Sequence, residues 1–148
     1  MRVLIASGAT GGTSKGSVGK YFHLKDLGEA LSKFGIEFIK GCQNNNMFAC
    51  AKHFPGHGNT STDSHSNLPV ILGSKQELER LELKPFKAAV EAGVKMVMVG
   101  HIAMPGLDSS NDPASYSKLI TTALLRDEWG FDGLIITDGM EMGGLTES

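Results

Sequence analysis

Side chains that could perform acid–base chemistry are concentrated in the stretch AKHFPGHGNTSTDSH, residues 51–65. It contains three of the five histidines of the chain, and its titratable members are Lys52, His53, His57, Asp63 and His65. The proline and glycines of its PGHG core prevent a continuous helix, so a loop must gather these groups. Such a loop could transfer protons, bind a metal ion or only fill polar gaps.

Asp63 and His65 form the pair with the clearest chemical use. In an extended or turning loop, side chains two positions apart can both point toward one cavity. A carboxylate beside an imidazole favours the protonated ring and selects its tautomer. A histidine in that setting can act as a general acid or base near neutral pH.

A metal site is the main alternative for this stretch, because zinc is often bound by histidine and aspartate. The possible ligands are His53, His57, Asp63 and His65. No HExxH motif is present, and the PGHG core prevents a helix that would align the first two histidines. We therefore expect no metal. A third interpretation is that the histidines only cap carbonyl groups of the loop.

A second reactive stretch is LIITDGMEM, in which Asp138 follows a short apolar run. An aspartate at the end of a buried strand can cap the next helix. It can also serve as a nucleophilic carboxylate at the mouth of a barrel. Glu141 lies beyond the expected strand end, so we interpret it as a supporting or solvated group.

The glycine-rich segment GATGGTSKGSVGK, residues 8–20, suggests a phosphate-binding loop. The GxxxxGK[ST] pattern fails because Ser14 occupies the first glycine position and Tyr21 follows Lys20, and GxGxxG is absent. We expect a flexible loop and no organic cofactor.

Composition indicates one ordinary globular domain. The chain has 148 residues, 41% of them hydrophobic, and a formal net charge of −2 with mixed signs. This balance predicts no nucleic-acid partner, and the apolar runs are too short to span a membrane. Without a signal peptide's apolar region, the sequence predicts a cytoplasmic protein. Cys42 and Cys50 have no metal or redox spacing and are expected to be reduced packing thiols.

The elements that must position these groups alternate between strand and helix. Apolar runs predict strands at residues 2–7, 47–51, 94–100 and 130–137, and helical periodicity marks residues 24–43, 74–93 and 119–129. Ser74 and Glu77 form a capping box, and Pro85 is expected to break the second helix.

This order predicts an α/β fold with a parallel sheet. It is either an open doubly wound sheet or about half of a (β/α)₈ TIM-type barrel, because a complete barrel needs about 250 residues. In both architectures, functional groups lie at the carboxyl ends of strands. Those positions hold Ser7 with Gly8, Lys52 with His53, His101, and Asp138.

Three segments, KHFPGHGNTSTDSH, VMVGHIAMPGLD and EWGFDGLIITDGMEM, resemble in order and spacing the catalytic barrel of glycoside hydrolase family three. The resemblance is strongest to its bacterial β-N-acetylglucosaminidases and covers about residues 32–148. It implies a partial catalytic barrel over that range. Residues 1–31 do not follow the family and are expected to form an atypical amino-terminal strand and loop.

The resemblance implies a retaining exo-β-N-acetylglucosaminidase that acts on a carbohydrate, in bacteria typically fragments of peptidoglycan during cell-wall recycling. By motif, Asp138 matches the nucleophile, His65 the general acid/base and Asp63 its dyad partner. Lys52 and His53 match residues that hold sugar hydroxyls, and His101 is expected to line the same pocket. No metal or organic cofactor is implied.

The sequence departs from the family before residue 32. An arginine of an RSFG-type segment is missing, and so is an aspartate that holds the nonreducing end of the sugar. Because an incomplete barrel leaves strand edges unpaired, we expect a homo-oligomer or a complementing fragment. The alternative is an inactive truncated, chimeric or engineered half-barrel that folds and self-associates without turnover.

Overall fold

A computed structural model of the chain describes residues 2–7, 24–58, 60, 62 and 64–146. Its centre is a four-stranded parallel sheet whose spatial order is the order of the chain. The strands are β1 (Arg2–Ser7), β2 (Met47–Phe54), β3 (Met96–Val99) and β4 (Leu134–Thr137). A doubly wound sheet reverses its order at a switch point, whereas a barrel adds each strand to the same side. The described sheet therefore corresponds to half of a barrel.

Helices connect the strands as the periodicity predicted. They are α1 (Leu24–Asn44), α2 (Lys75–Arg80), α3 (Lys84–Glu91), α4 (Leu119–Glu128) and the single turn α5 (Gly143–Thr146). The hydrogen bonds of α4 are of the π type, and Trp129 N–H donates to the Leu124 carbonyl five residues back. The helix predicted over residues 74–93 is two helices, because Pro85 fits only the first turn of α3.

The core lies between the sheet and the helices that cover it. Phe54 at the end of β2 is fully buried. Its ring packs edge-on against Phe86 of α3 and Trp129 after α4, with distances between ring centroids of 5.5 Å and 5.7 Å. Such aromatic contacts stabilise a core beyond the area they bury. Cys42 and Cys50 are buried and unpaired, as predicted. None of the described helices is long and apolar enough to cross a bilayer.

Strand β2 is longer than the sequence indicated. Its prediction ended at residue 51, but the strand continues to Phe54, so Lys52 and His53 lie within it and not after it. The pairing of β2 with β3 changes register between Ala51 and Phe54. A bulge of this kind turns side chains away from their regular alternation, which periodicity cannot reveal. The glycine-rich segment, residues 8–20, lies outside the described residues, and the boundary at residue 32 stays a prediction.

The capping box of α2 is confirmed and supports a first prediction. Glu77 N–H donates to Ser74 Oγ at 3.3 Å, and Ser74 N–H donates to the Glu77 carboxylate at 2.8 Å. We expect Ser74→Ala to lower the free energy of unfolding by about 1 kcal/mol, because it removes a helix cap. Urea unfolding would measure this, with Ser74→Thr as the control that keeps the hydroxyl. Equal stability of the two variants would contradict the role of the cap.

Candidate active site

Two predicted site residues from non-adjacent strands meet at the carboxyl end of the sheet. His53 of β2 places Nε2 3.3 Å from Oδ2 of Asp138, which follows β4. Neighbouring strands lie about 4.8 Å apart, so this contact must pass over the end of β3. Gly100, directly after β3, leaves the necessary room, because a Cβ atom there would lie 3.0 Å from His53 Cβ. The bulge and the glycine together bring the imidazole to the carboxylate.

Backbone hydrogen bonds fix both the main chain and the carboxylate of Asp138. Asp138 N–H donates to the Val99 carbonyl at 2.9 Å, which continues the pairing of β4 with β3. Its Oδ1 accepts a hydrogen bond from Gly139 N–H at 3.0 Å, while Oδ2 faces His53. About a quarter of the side chain is exposed to solvent. The carboxylate is therefore fixed in orientation but open to a ligand, as a nucleophile requires.

Electrostatics around His53 disfavour a charged imidazole. Burial is the largest cause that lowers the pKa of His53, the Asp138 carboxylate opposes it, and the positive charges of Lys52, His57 and His65 lower it further. The charges of four other predicted groups, Asp138, Lys52, His57 and His65, therefore act on the His53 ring. At neutral pH, His53 is thus an uncharged hydrogen-bonding group beside Asp138.

The pH dependence of stability follows from this shift. The folded-state pKa of His53 lies below its ordinary value of about 6.5, so the unfolded chain binds more protons once the pH falls below that value. The stability that the uncharged His53 ring gives to the folded chain is complete above the ordinary pKa of histidine. It is lost as the pH falls toward the folded-state pKa of His53.

We expect Asp138→Asn to lower the pKa of His53 further, because it removes the neighbour that raises it.

Titration of the His53 ring by NMR in the wild-type chain and in Asp138→Asn would measure this change. His53→Gln is the matched control, since urea unfolding of that variant should lose this part of the pH dependence. A higher pKa of His53 in Asp138→Asn would contradict the assigned electrostatics.

The loop after β2 carries His57 and His65. His57 Nε2 lies 2.9 Å from Ser64 Oγ, a hydrogen bond that joins the two ends of the loop. The His65 side chain is exposed, whereas its carbonyl accepts a hydrogen bond from Gly143 N–H at 3.0 Å. A Cβ atom on Gly143 would lie 2.7 Å from that carbonyl oxygen, so only glycine permits this approach. The loop is thereby attached to the segment that follows Asp138. Asp63 lies outside the described residues.

His101 follows β3 and is enclosed by the protein, and its expected place in the sugar pocket stays a prediction. Its side chain is fully buried, with Nδ1 2.8 Å from Ser115 Oγ and Nε2 2.8 Å from the Gly139 carbonyl oxygen. Both ring nitrogens are therefore engaged within the protein. The sequence offered no signal for Ser115, because fourteen residues separate it from His101 and no motif joins them.

Lys52 is half-buried and, with Cys50, lines an apolar cavity of about 370 Å³ between α1, α3 and β2. Burial raises the pKa of the Cys50 thiol, and the Lys52 charge opposes this. His53, His101 and Asp138 do not line the cavity. Of the predicted site residues that the structure describes, only Lys52 lines the cavity.

A metal centre was the alternative for the histidine-rich loop. In the part of the chain that the structure describes, no three histidine, cysteine, aspartate or glutamate side chains are grouped so that they could hold a metal ion.

Comparisons with known proteins identify the family and the fold. The profile of the glycosyl hydrolase family 3 N-terminal domain matches residues 25–148. A β-hexosaminidase of Thiobacillus denitrificans is 36% identical over 116 residues, which cover 78% of this chain and 32% of that protein. The structure of a glycoside hydrolase family 3 β-N-acetylglucosaminidase from Paenibacillus sp. superposes with a TM-score of 0.84 at 34% identity, covering 99% of this chain and 28% of that one.

Native NagZ from Neisseria gonorrhoeae is similar as well, with a TM-score of 0.71 at 37% identity over 78% of this chain and 33% of that one. The chain spans about a third of the length of these relatives.

Proposed function

Because this chain belongs to glycosyl hydrolase family 3, we propose that it contributes the nucleophile and the acid/base of a retaining exo-β-N-acetylglucosaminidase. The proposed substrates are terminal β-linked N-acetylglucosaminides, probed first with chromogenic glycosides and, in the cell, supplied by fragments of peptidoglycan. The observation that carries the proposal is the Asp138 carboxylate, which the Gly139 amide orients beside His53 at the carboxyl end of a parallel sheet.

The proposed chemistry is double displacement. Asp138 attacks the anomeric carbon and the bond to the leaving oxygen breaks, while protonated His65 donates a proton to that oxygen. Water then attacks the glycosyl-enzyme, His65 takes its proton, and the Asp138 carboxylate is released. In most retaining enzymes a second carboxylate, at about 5 to 5.5 Å, transfers the proton, whereas in this proposal an imidazole does so.

Three further residues complete the proposed site. Uncharged His53 can exchange hydrogen bonds with a sugar hydroxyl, and Lys52 can donate to one through its ammonium group. Asp63 is proposed to steady protonated His65, since a nearby carboxylate favours the charged ring. These groups belong to the segment of residues 52–65 or follow β4, and we propose that they meet at the carboxyl end of the sheet.

The described sheet has four strands, whereas a barrel of this type closes with eight. β1 and β4 are its outer strands, and Leu134 of β4 is 55% exposed. We propose that the remaining strands come from a further segment of the protein, a second copy or a companion fragment. The exposed outer strand also favours the second candidate function, a half-barrel that self-associates without turnover.

One experiment separates these two functions. The purified chain is incubated with 4-nitrophenyl β-N-acetylglucosaminide while light scattering gives its mass and ¹H NMR follows the sugar product. Turnover that first releases the β-anomer supports the retaining hydrolase, and 4-nitrophenyl β-glucoside serves as the matched substrate control. Self-association with no release of nitrophenol at high protein concentration would support the inactive half-barrel.

The role of His65 leads to a prediction that depends on the leaving group. We expect His65→Ala to lower kcat by about 10² to 10⁴-fold for a methyl glycoside, because its leaving oxygen needs a proton. The loss should be much smaller for bond cleavage in a dinitrophenyl glycoside, whose leaving group departs as an anion. Single-turnover release of both aglycones measures the effect, with exposed Ser66→Ala as the control. Equal losses for both substrates would argue against proton donation by His65.

A further inference from the structure

His101 is fully buried and contacts the residue that follows the nucleophile. Its exposed fraction is 0%, and both ring nitrogens have partners at 2.8 Å. The Gly139 carbonyl can only accept a hydrogen bond, so Nε2 carries the hydrogen in this contact. In the neutral ring, Nδ1 then accepts the Ser115 hydroxyl. The second hydrogen bond therefore selects the tautomer that the first requires.

The backbone of Gly139 transmits this contact to the carboxylate. Gly139 N–H donates a hydrogen bond to Asp138 Oδ1 at 3.0 Å, while the Gly139 carbonyl accepts one from His101 Nε2. Glycine has more backbone freedom than any other residue, so the direction of this N–H group must be set from outside. On the other side, Asp138 N–H is anchored on the Val99 carbonyl, two residues before His101. The end of β3 and the segment directly after it, residues 99–101, thus hold both the nucleophile and its neighbour.

We propose that His101 is a positioning residue for the nucleophile, which orients the Asp138 carboxylate through the Gly139 backbone with its own ring held by Ser115. This inference rests on the proposed function of Asp138. It replaces the substrate contact that the sequence predicted for His101. Kinetics can separate a residue that binds substrate from one that positions the nucleophile. A residue that touches the sugar changes KM, whereas one that aims the nucleophile changes kcat.

The test compares His101→Phe with His101→Gln. Phenylalanine fills the buried space without a donor, while the glutamine amide N–H can take the place of Nε2–H. Because a small misplacement of a reacting group can cost about 10²-fold, we expect His101→Phe to lower kcat by about 10 to 100-fold with KM within about twofold. His101→Gln should restore most of kcat. An increase in KM with kcat unchanged would overturn the proposal.

Ser115→Ala provides a variant that leaves the buried ring in place. It removes the hydroxyl that selects the tautomer, and we expect a smaller loss of kcat, about 3 to 10-fold, again with KM unchanged. Wild-type stability in this variant would show that the loss does not come from unfolding. Wild-type kcat in folded Ser115→Ala would contradict the role assigned to Ser115.

A second measurement separates this inference from the proposed function. In the ¹H–¹⁵N spectrum, the Gly139 amide should shift or broaden in His101→Phe and return toward its wild-type position in His101→Gln. This readout needs no turnover, so it tests the inference even if the wild-type chain cleaves no glycoside. An unchanged Gly139 resonance in folded His101→Phe would overturn the positioning role.

Discussion

Replacing Asp138 with alanine is expected to lower kcat by at least about 10³-fold, because the variant cannot form a covalent intermediate. The effect should fall on kcat far more than on substrate binding, since His53 and Lys52 remain in place. Asp138→Asn is the matched variant, because its amide keeps the size of the side chain and can still accept from Gly139 N–H. Steady-state rates with 4-nitrophenyl β-N-acetylglucosaminide measure both losses.

Chemical rescue identifies the role of the missing carboxylate. In Asp138→Ala, azide can enter the space that the side chain vacates and attack the anomeric carbon from the face opposite the leaving group. The expected product is the α-glycosyl azide, which ¹H NMR distinguishes from the β-anomer. Recovery of the β-azide would assign Asp138 to the acid/base step instead. Undiminished turnover in Asp138→Ala without azide would remove the proposed mechanism.

The largest expected effect on stability is at Gly106. A Cβ atom there would lie 1.9 Å from the Gly73 carbonyl oxygen, so alanine requires the backbone of one segment to move. The two segments also exchange hydrogen bonds, from Ile71 N–H to the Ala103 carbonyl and from Ala103 N–H to the Pro69 carbonyl. Because these contacts join the loop after β3 to the segment before α2, we expect Gly106→Ala to lower the free energy of unfolding by about 3 kcal/mol or more.

Urea unfolding monitored by circular dichroism measures this loss, and Gly41→Ala supplies the control. Gly41 lies in α1, and a Cβ atom there would meet no neighbouring segment within 4 Å. Alanine at this position should therefore be neutral or stabilise by about 0.5 to 1 kcal/mol. A Gly106→Ala variant as stable as the wild-type chain would show that the two backbones do not approach so closely.

Periodicity and local motifs predicted most of the elements. α1 begins at the predicted residue and ends one residue later than predicted, and the capping box of Ser74 and Glu77 is formed. These features depend on residues within one or two turns of each other, which is the range over which sequence patterns act. The predicted end of β2 was wrong because the bulge in β2 depends on pairing with β3, a strand more than forty residues away.

Local patterns were sufficient to identify the family, the alternation of parallel strands and helices, and the groups that could do chemistry, because strand ends and motifs such as KHFPGHG are contiguous in the chain. Which of these groups meet became clear only from the folded chain. His53 contacts Asp138 across the end of β3, and His101 is buried with a hydrogen-bond partner at each ring nitrogen, contacts that no local pattern indicated. Burial and hydrogen-bond partners depend on segments far apart in the chain, such as those of Ser115 and Gly139, and three-dimensional packing alone brings these segments together.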